Sequence, residues 1–172
     1  ENLIGRKLPN TRPVPASVIF SGENARFERS IQGVKLVFWL PKGSHSPGDM
    51  MVYLPEDKVL VGGDILVNRT IPVMRDALVQ NWVSTLEQVR SFDASTIVPG
   101  HGPLMKQEDV SRLQRQMAGF YAGIEAGYKK GLSDSETRKT LDVREWKKLE
   151  GFEANIGGNV SRTYLEVEQA SF

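Results

Sequence analysis

The sequence has no cysteine and only two histidines, and these scarcities set the first limits. Without thiols there is no disulfide, no thiolate nucleophile and no thiolate metal ligand. Neither sign of charge is in excess: 22 Lys and Arg face 21 Asp and Glu, a formal net charge of +1. Broad nucleic-acid and membrane-surface binders need a basic face, so neither partner is expected. No stretch approaches the run of about 18 apolar residues that spans a bilayer. The opening residues, Glu1-Asn2-Leu3-Ile4-Gly5-Arg6-Lys7, do not have the make-up of a secretory signal. The Gly-x-Gly-x-x-Gly and Gly-x-x-x-x-Gly-Lys fingerprints of nucleotide binding are also missing.

What is present is the composition of a soluble globular chain: 172 residues, 40% apolar and 25% charged. The first half reads as strands. Ser17 to Phe20 is a short β-type run after the prolines at 9, 13 and 15. Ala25 to Arg29 and Ile31 to Leu40 continue it, with Gly33 as a turn or bulge. Val34 to Leu40 is nearly all apolar, which suits a strand covered on both faces. Met50 to Leu54 and Lys58 to Val61 form a hairpin through Pro55-Glu56-Asp57, and Thr96 to Val98 is a further strand. The second half has the 3.6-residue period of helices. One stripe is Leu78, Trp82, Leu86 and Val89. A longer one is Val110, Leu113, Met117, Phe120, Ile124 and Tyr128, and a last one is Ile156, Val160, Tyr164 and Val167. Core packing is the ordinary use of such stripes. Ser133 and Glu136 have the spacing of a capping box. No repeat or linker divides the chain.

Both histidines lie in loops rich in glycine and proline: Gly43-Ser44-His45-Ser46-Pro47-Gly48-Asp49 and Pro99-Gly100-His101-Gly102-Pro103. Between them Val61-Gly62-Gly63-Asp64 closes a strand on an aspartate. Singly, each has a plain explanation as a turn or surface residue, Asp49 as an Asx-turn residue included. Together, His45, Asp64 and His101 each stand at a strand end, and strand ends converge on the sheet edge where ligands bind. Imidazole and carboxylate are the ligands zinc accepts when thiolate is absent.

These three elements, in this order, resemble the later metal motifs of the metallo-β-lactamase superfamily, over roughly Pro15 to Leu104. The helical tail, including Gly158-Asn159-Val160-Ser161-Arg162, is similar to that of its broad hydrolase branch. The resemblance implies an α/β (α+β) fold, the αβ/βα sandwich, with two zinc ions at the edge of its sheets. It implies that His45 completes one zinc site and His101 the other. Asp64 bridges both metals and is the catalytic carboxylate. A hydroxide shared by the metals would attack an ester-, thioester-, lactone- or amide-like bond of a small-molecule substrate. Aspartate at position 64 resembles the thioesterase and general hydrolase branch more than the β-lactamases with Cys or Ser there.

The superfamily's His-x-His-x-Asp-His motif is absent, and there is no third histidine to supply it. The chain is therefore read as a single partial domain over 1–172, the C-terminal half of the sandwich. Residues 15–104 are the strand-rich portion with the metal loops, and 105–172 are the helical tail. Alone, it is expected to hold an incomplete zinc site and to be inactive. Its apolar face is expected to meet the missing N-terminal half or a second copy of the chain. The competing reading is a non-catalytic binding or structural module that keeps the fold without a complete metal site. Lys129-Lys130 and Arg144, Lys147 and Lys148 are the basic groupings, read as solvated helix faces. Arg69 and Arg75 are conceivable anchors for an acidic substrate, though turn or surface roles are the more ordinary use.

Overall fold

The structure, a computed structural model, describes residues 12–172. Five strands form one sheet in the order β1 (Ala25–Ile31), β2 (Val34–Leu40), β3 (Met51–Leu54), β4 (Val59–Val67), β5 (Thr96–His101). β1 to β4 are antiparallel neighbours, and β5 joins β4 in parallel. Gln32 and Gly33, both with positive φ, make the two-residue turn between β1 and β2. That geometry matches the twist of the strands it joins. The crossover from β4 to β5 carries α1 (Val79–Val89). After β5 come α2 (Gln107–Lys129), α3 (Asp134–Thr140), a 3-10 turn at Trp146–Lys148 and α4 (Phe152–Gln169).

The helical stripes are core. Trp82, Leu86 and Val89 of α1 and Val110, Leu113, Met117, Phe120 and Ile124 of α2 are buried with Ile156, Val160 and Val167 of α4. Leu78 falls just outside α1 and is 41% exposed. Trp146 stacks on Phe120 with ring centroids 4.7 Å apart. The Ser133 capping box forms, with the Ser133 amide donating to Glu136 Oε2 at 2.9 Å and the Glu136 amide donating to Ser133 Oγ at 3.3 Å. Lys129, Arg144 and Lys148 pair with Glu125, Asp142 and Glu145, neighbours on their own segments.

Successive side chains of a strand point to opposite faces, so the register separates two rows. Trp39, Met51, Leu60 and Ile97 join the core beneath the helices. On the opposite face Phe27, Phe38, Val52, Val61 and Val98 are partners in turn across all five strands. None of these five belongs to the buried core, and Val61 is 39% exposed. Phe20 caps one end, with its ring 4.9 Å from Phe27 and 5.0 Å from Phe38.

Three expectations are corrected. Ser17 to Phe20 forms no strand; the segment packs through Phe20 without joining the ladder. β2 is not fully covered on both faces: one face lies on the helices, while on the other Leu36, Phe38 and Leu40 are half-buried and Val34 is 43% exposed. β4 does not end at Asp64 but runs to Val67, because register shifts on both sides of Gly63 absorb the turn expected there. No described helix is long and apolar enough to cross a membrane.

Candidate metal-ligand site

The parallel pair β4–β5 brings Asp64 and His101 together. Val67 is the register partner of His101, and the Asn68 amide donates to the His101 carbonyl at 3.0 Å. His101 Nε2 lies 3.4 Å from Asp64 Oδ1, with the side chains 65% and 46% exposed. Glycines make this approach possible. A Cβ at Gly100 would overlap Asp64 Oδ1 and lie 2.7 Å from the Gly63 carbonyl carbon, so only glycine leaves room for the carboxylate. A Cβ at Gly102, whose φ is +87°, would overlap the Asn68 carbonyl oxygen.

His45 has a different setting. Its loop is closed by Asp49, whose carboxylate accepts the amides of Ser44 and Ser46 and the Ser46 hydroxyl, the last at 2.7 Å. The loop is tied to α1: the Leu78 amide donates to the Ser44 carbonyl at 2.9 Å, and the buried Ser44 hydroxyl meets Thr85 Oγ1 at 2.8 Å. The His45 ring meets the indole of Trp82 edge-on at 5.3 Å, and its Nδ1 is 3.9 Å from Asp49 Oδ1. The same indole donates its N–H to the Ile65 carbonyl at 2.8 Å. Trp82 thus stands between the His45 loop and the residue after Asp64.

The donor chemistry fits part of a zinc site. With zinc–ligand bonds of about 2.0–2.1 Å, two corners of a tetrahedron lie about 3.3–3.4 Å apart, which is the His101–Asp64 separation. Among the described residues, no three His, Cys, Asp or Glu side chains gather closely enough to hold a metal ion. The pair therefore offers two corners, and His45 is not gathered with it into one cluster. Asp49 and Gly100 were visible in the sequence only as turn residues, and Trp82 only as one position of a helical stripe. Their roles around the site depend on tertiary contacts that carry no local signal.

A mixed α/β fold with an imidazole and a carboxylate side by side on a parallel strand pair defines an α/β class whose sheet brings potential metal ligands together. Residues 26–101 match the metallo-beta-lactamase superfamily. The chain is 32% identical over 97 residues to the linear primary-alkylsulfatase of a Pseudomonas sp., covering 51% of this chain and 18% of that protein. It is 33% identical over 78 residues to a metallo-beta-lactamase type 2 of Bacteroides fragilis, 42% of this chain and 31% of that one. The solved structure of the stereoselective inverting sec-alkylsulfatase Pisa1 from Pseudomonas sp. shares the fold over 91% of this chain and 27% of its own, with TM-score 0.67 at 18% identity. By sequence over residues 26–101, and by fold over most of its length, the chain resembles the metallo-beta-lactamase superfamily. It spans less than a third of the length of the two curated relatives named.

Proposed function

We propose that this chain is the C-terminal part, a single partial domain, of a zinc-dependent hydrolase. In this reading His45 would help hold one zinc and His101 the other, and Asp64, the catalytic carboxylate, would serve both. The remaining ligands come from the part of the sandwich that covers the open sheet face. The observation that carries the reading is the His101–Asp64 pair at zinc-edge spacing on the rim of the parallel strands. When bound, zinc supplies Lewis acidity and acidifies a water for attack on the scissile centre. What this chain contributes is the placement of the donors: Gly100 admits the Asp64 carboxylate, and the β4–β5 ladder fixes His101 beside it.

The substrate class is an ester-type bond, with thioester, lactone and amide bonds in the same range. Sulfate esters come first among these, since the Pisa1 likeness extends through the helical tail. The test is to produce the chain joined to whatever precedes it in its gene, measure zinc, and assay esters and alkyl sulfates. About two zinc ions per chain and turnover abolished by Asp64→Asn or His101→Ala are expected. A protein that holds no zinc and shows no turnover would overturn the reading. The second reading is a binding or structural module that keeps the fold without chemistry. It is favoured by the lack, among the described residues, of a three-donor group, and zinc content separates the two.

A further inference from the structure

A cavity of about 360 Å³ opens past the rim, lined by Asn68 and Arg69 after β4, Pro103 and Leu104 after β5, and Asp109 and Arg112 of α2. One wall is fixed. Buried Asn68 donates through Nδ2 to the Pro103 and Leu104 carbonyls at 3.1 and 3.3 Å, and its Oδ1 accepts from Arg112 Nη2 at 3.3 Å. Asp109 is engaged on both oxygens: Oδ2 accepts the Lys106 amide at 2.9 Å, and Oδ1 meets Arg112 Nη2. Burial pushes the Asp109 carboxyl up, but the bonds from Lys106 and Arg112, with the nearby Arg69 charge, outweigh it and hold the group below its ordinary value.

Two guanidiniums therefore share the cavity with one carboxylate whose oxygens are already taken. Among the described residues, the Arg69 guanidinium has no hydrogen-bond or ion-pair partner, and on Arg112 only Nη2 is used. Arg69 also holds a φ of +63°, a left-handed backbone that bulky L residues avoid. A bridge to the segment before α4 imposes it: the Glu150 amide donates to the Arg69 carbonyl at 3.0 Å, and the Ile71 amide to the Glu150 carbonyl at 2.9 Å. That bridge fixes the backbone from which the Arg69 side chain reaches the cavity.

We propose that this cavity is a binding subsite for a small oxyanion, a sulfate, phosphate or carboxylate group received by the unspent N–H groups of Arg69 and Arg112. The proposal concerns binding alone and stands apart from the hydrolase reading. Inorganic sulfate and acetate are the probes, titrated into the full chain by calorimetry against chloride at constant ionic strength. Arg69→Asn removes the charge while tolerating the backbone conformation, and Arg75→Asn, at a site paired with Asp76 outside the cavity, is the control. Circular dichroism verifies that each variant is folded. Saturable binding of at least one probe, weakened tenfold or more in Arg69→Asn and unchanged in Arg75→Asn, is the expected result. Binding of neither probe, or equal binding by Arg69→Asn and the parent chain, would overturn it. The general stabilisation of proteins by sulfate acts on every variant alike and does not imitate this pattern.

Discussion

Gly100 lacks a side chain where Asp64 needs space: the carboxylate of residue 64 occupies the place a Cβ at residue 100 would take. The backbone of β5 is thereby part of the Asp64 environment, and a methyl group at position 100 must displace either the carboxylate or the strand. Gly100→Ala is expected to lower stability by about 1–3 kcal/mol, read from urea unfolding of the chain.

The donors themselves contribute little to folding. His101 and Asp64 are 65% and 46% exposed and meet at 3.4 Å without a hydrogen bond. Exposed positions of this kind usually change stability by less than about 0.5 kcal/mol. His101→Ala and Asp64→Asn should therefore leave the melting temperature nearly unchanged, and, if the proposed zinc reading holds, should abolish zinc retention. A large loss of stability in either variant would give the residue a structural role instead.

Trp82 links two parts of the site, since its indole N–H is bonded to the Ile65 carbonyl and its ring takes the edge of His45. Trp82→Phe leaves a buried carbonyl unpaired and a void beside it, at a cost of about 2–3 kcal/mol. The His45 ring-proton resonances should shift with the loss of the indole ring current, and those of His101 should stay in place.

Asp109 gives a pH prediction with a definite sign. Its folded-state pKa is lowered, by the Lys106 amide and Arg112 guanidinium acting against burial. Its stabilisation is therefore complete above the unfolded carboxylate value, near pH 4, and is lost as pH falls through the lower folded value. Asp109→Asn should cost about 1 kcal/mol at neutral pH. The gap from the parent in thermal melting should be constant down to about pH 5 and close below pH 4.

The row Phe27, Phe38, Val52, Val61 and Val98 is a continuous apolar face outside the buried core. Four of the five are half-buried and Val61 is 39% exposed, and incompletely covered apolar faces drive association. The chain by itself should sediment as a dimer or larger species at high concentration, and Val61→Lys should weaken that association at least tenfold. A monodisperse monomer would show that the face is tolerated uncovered.

Legibility followed the range of the interactions. Helical stripes and the Ser133 capping box are written in neighbours three or four residues apart and are readable, whereas Gly33 reads equally as a turn or a bulge and only the β1–β2 pairing decides for the turn. The order of His45, Asp64 and His101 was readable as a pattern of loops, but not which of them would meet. That depends on the parallel pairing of β4 with β5, and on a bulge at Gly63 that lengthens a strand expected to stop at Asp64. The expectation of a doubly covered β2 failed because its composition reports both faces while only one is fully covered within this chain. The Ser17 to Phe20 run has β-type residues but no ladder partner, so Phe20 packs while Val18 and Ile19 stay exposed and the backbone stays outside the sheet.

The two donors of the rim sit on consecutive strands joined by a single helical crossover, and that helix supplies Trp82, Leu86 and Val89 to the centre of the molecule. Both residues sit on laddered backbone, Asp64 within β4 and His101 at the last position of β5. Amide-exchange protection at Ile65 and Val98 should therefore approach that of global unfolding, and the rim should dissolve in one step with the interior instead of fraying ahead of it.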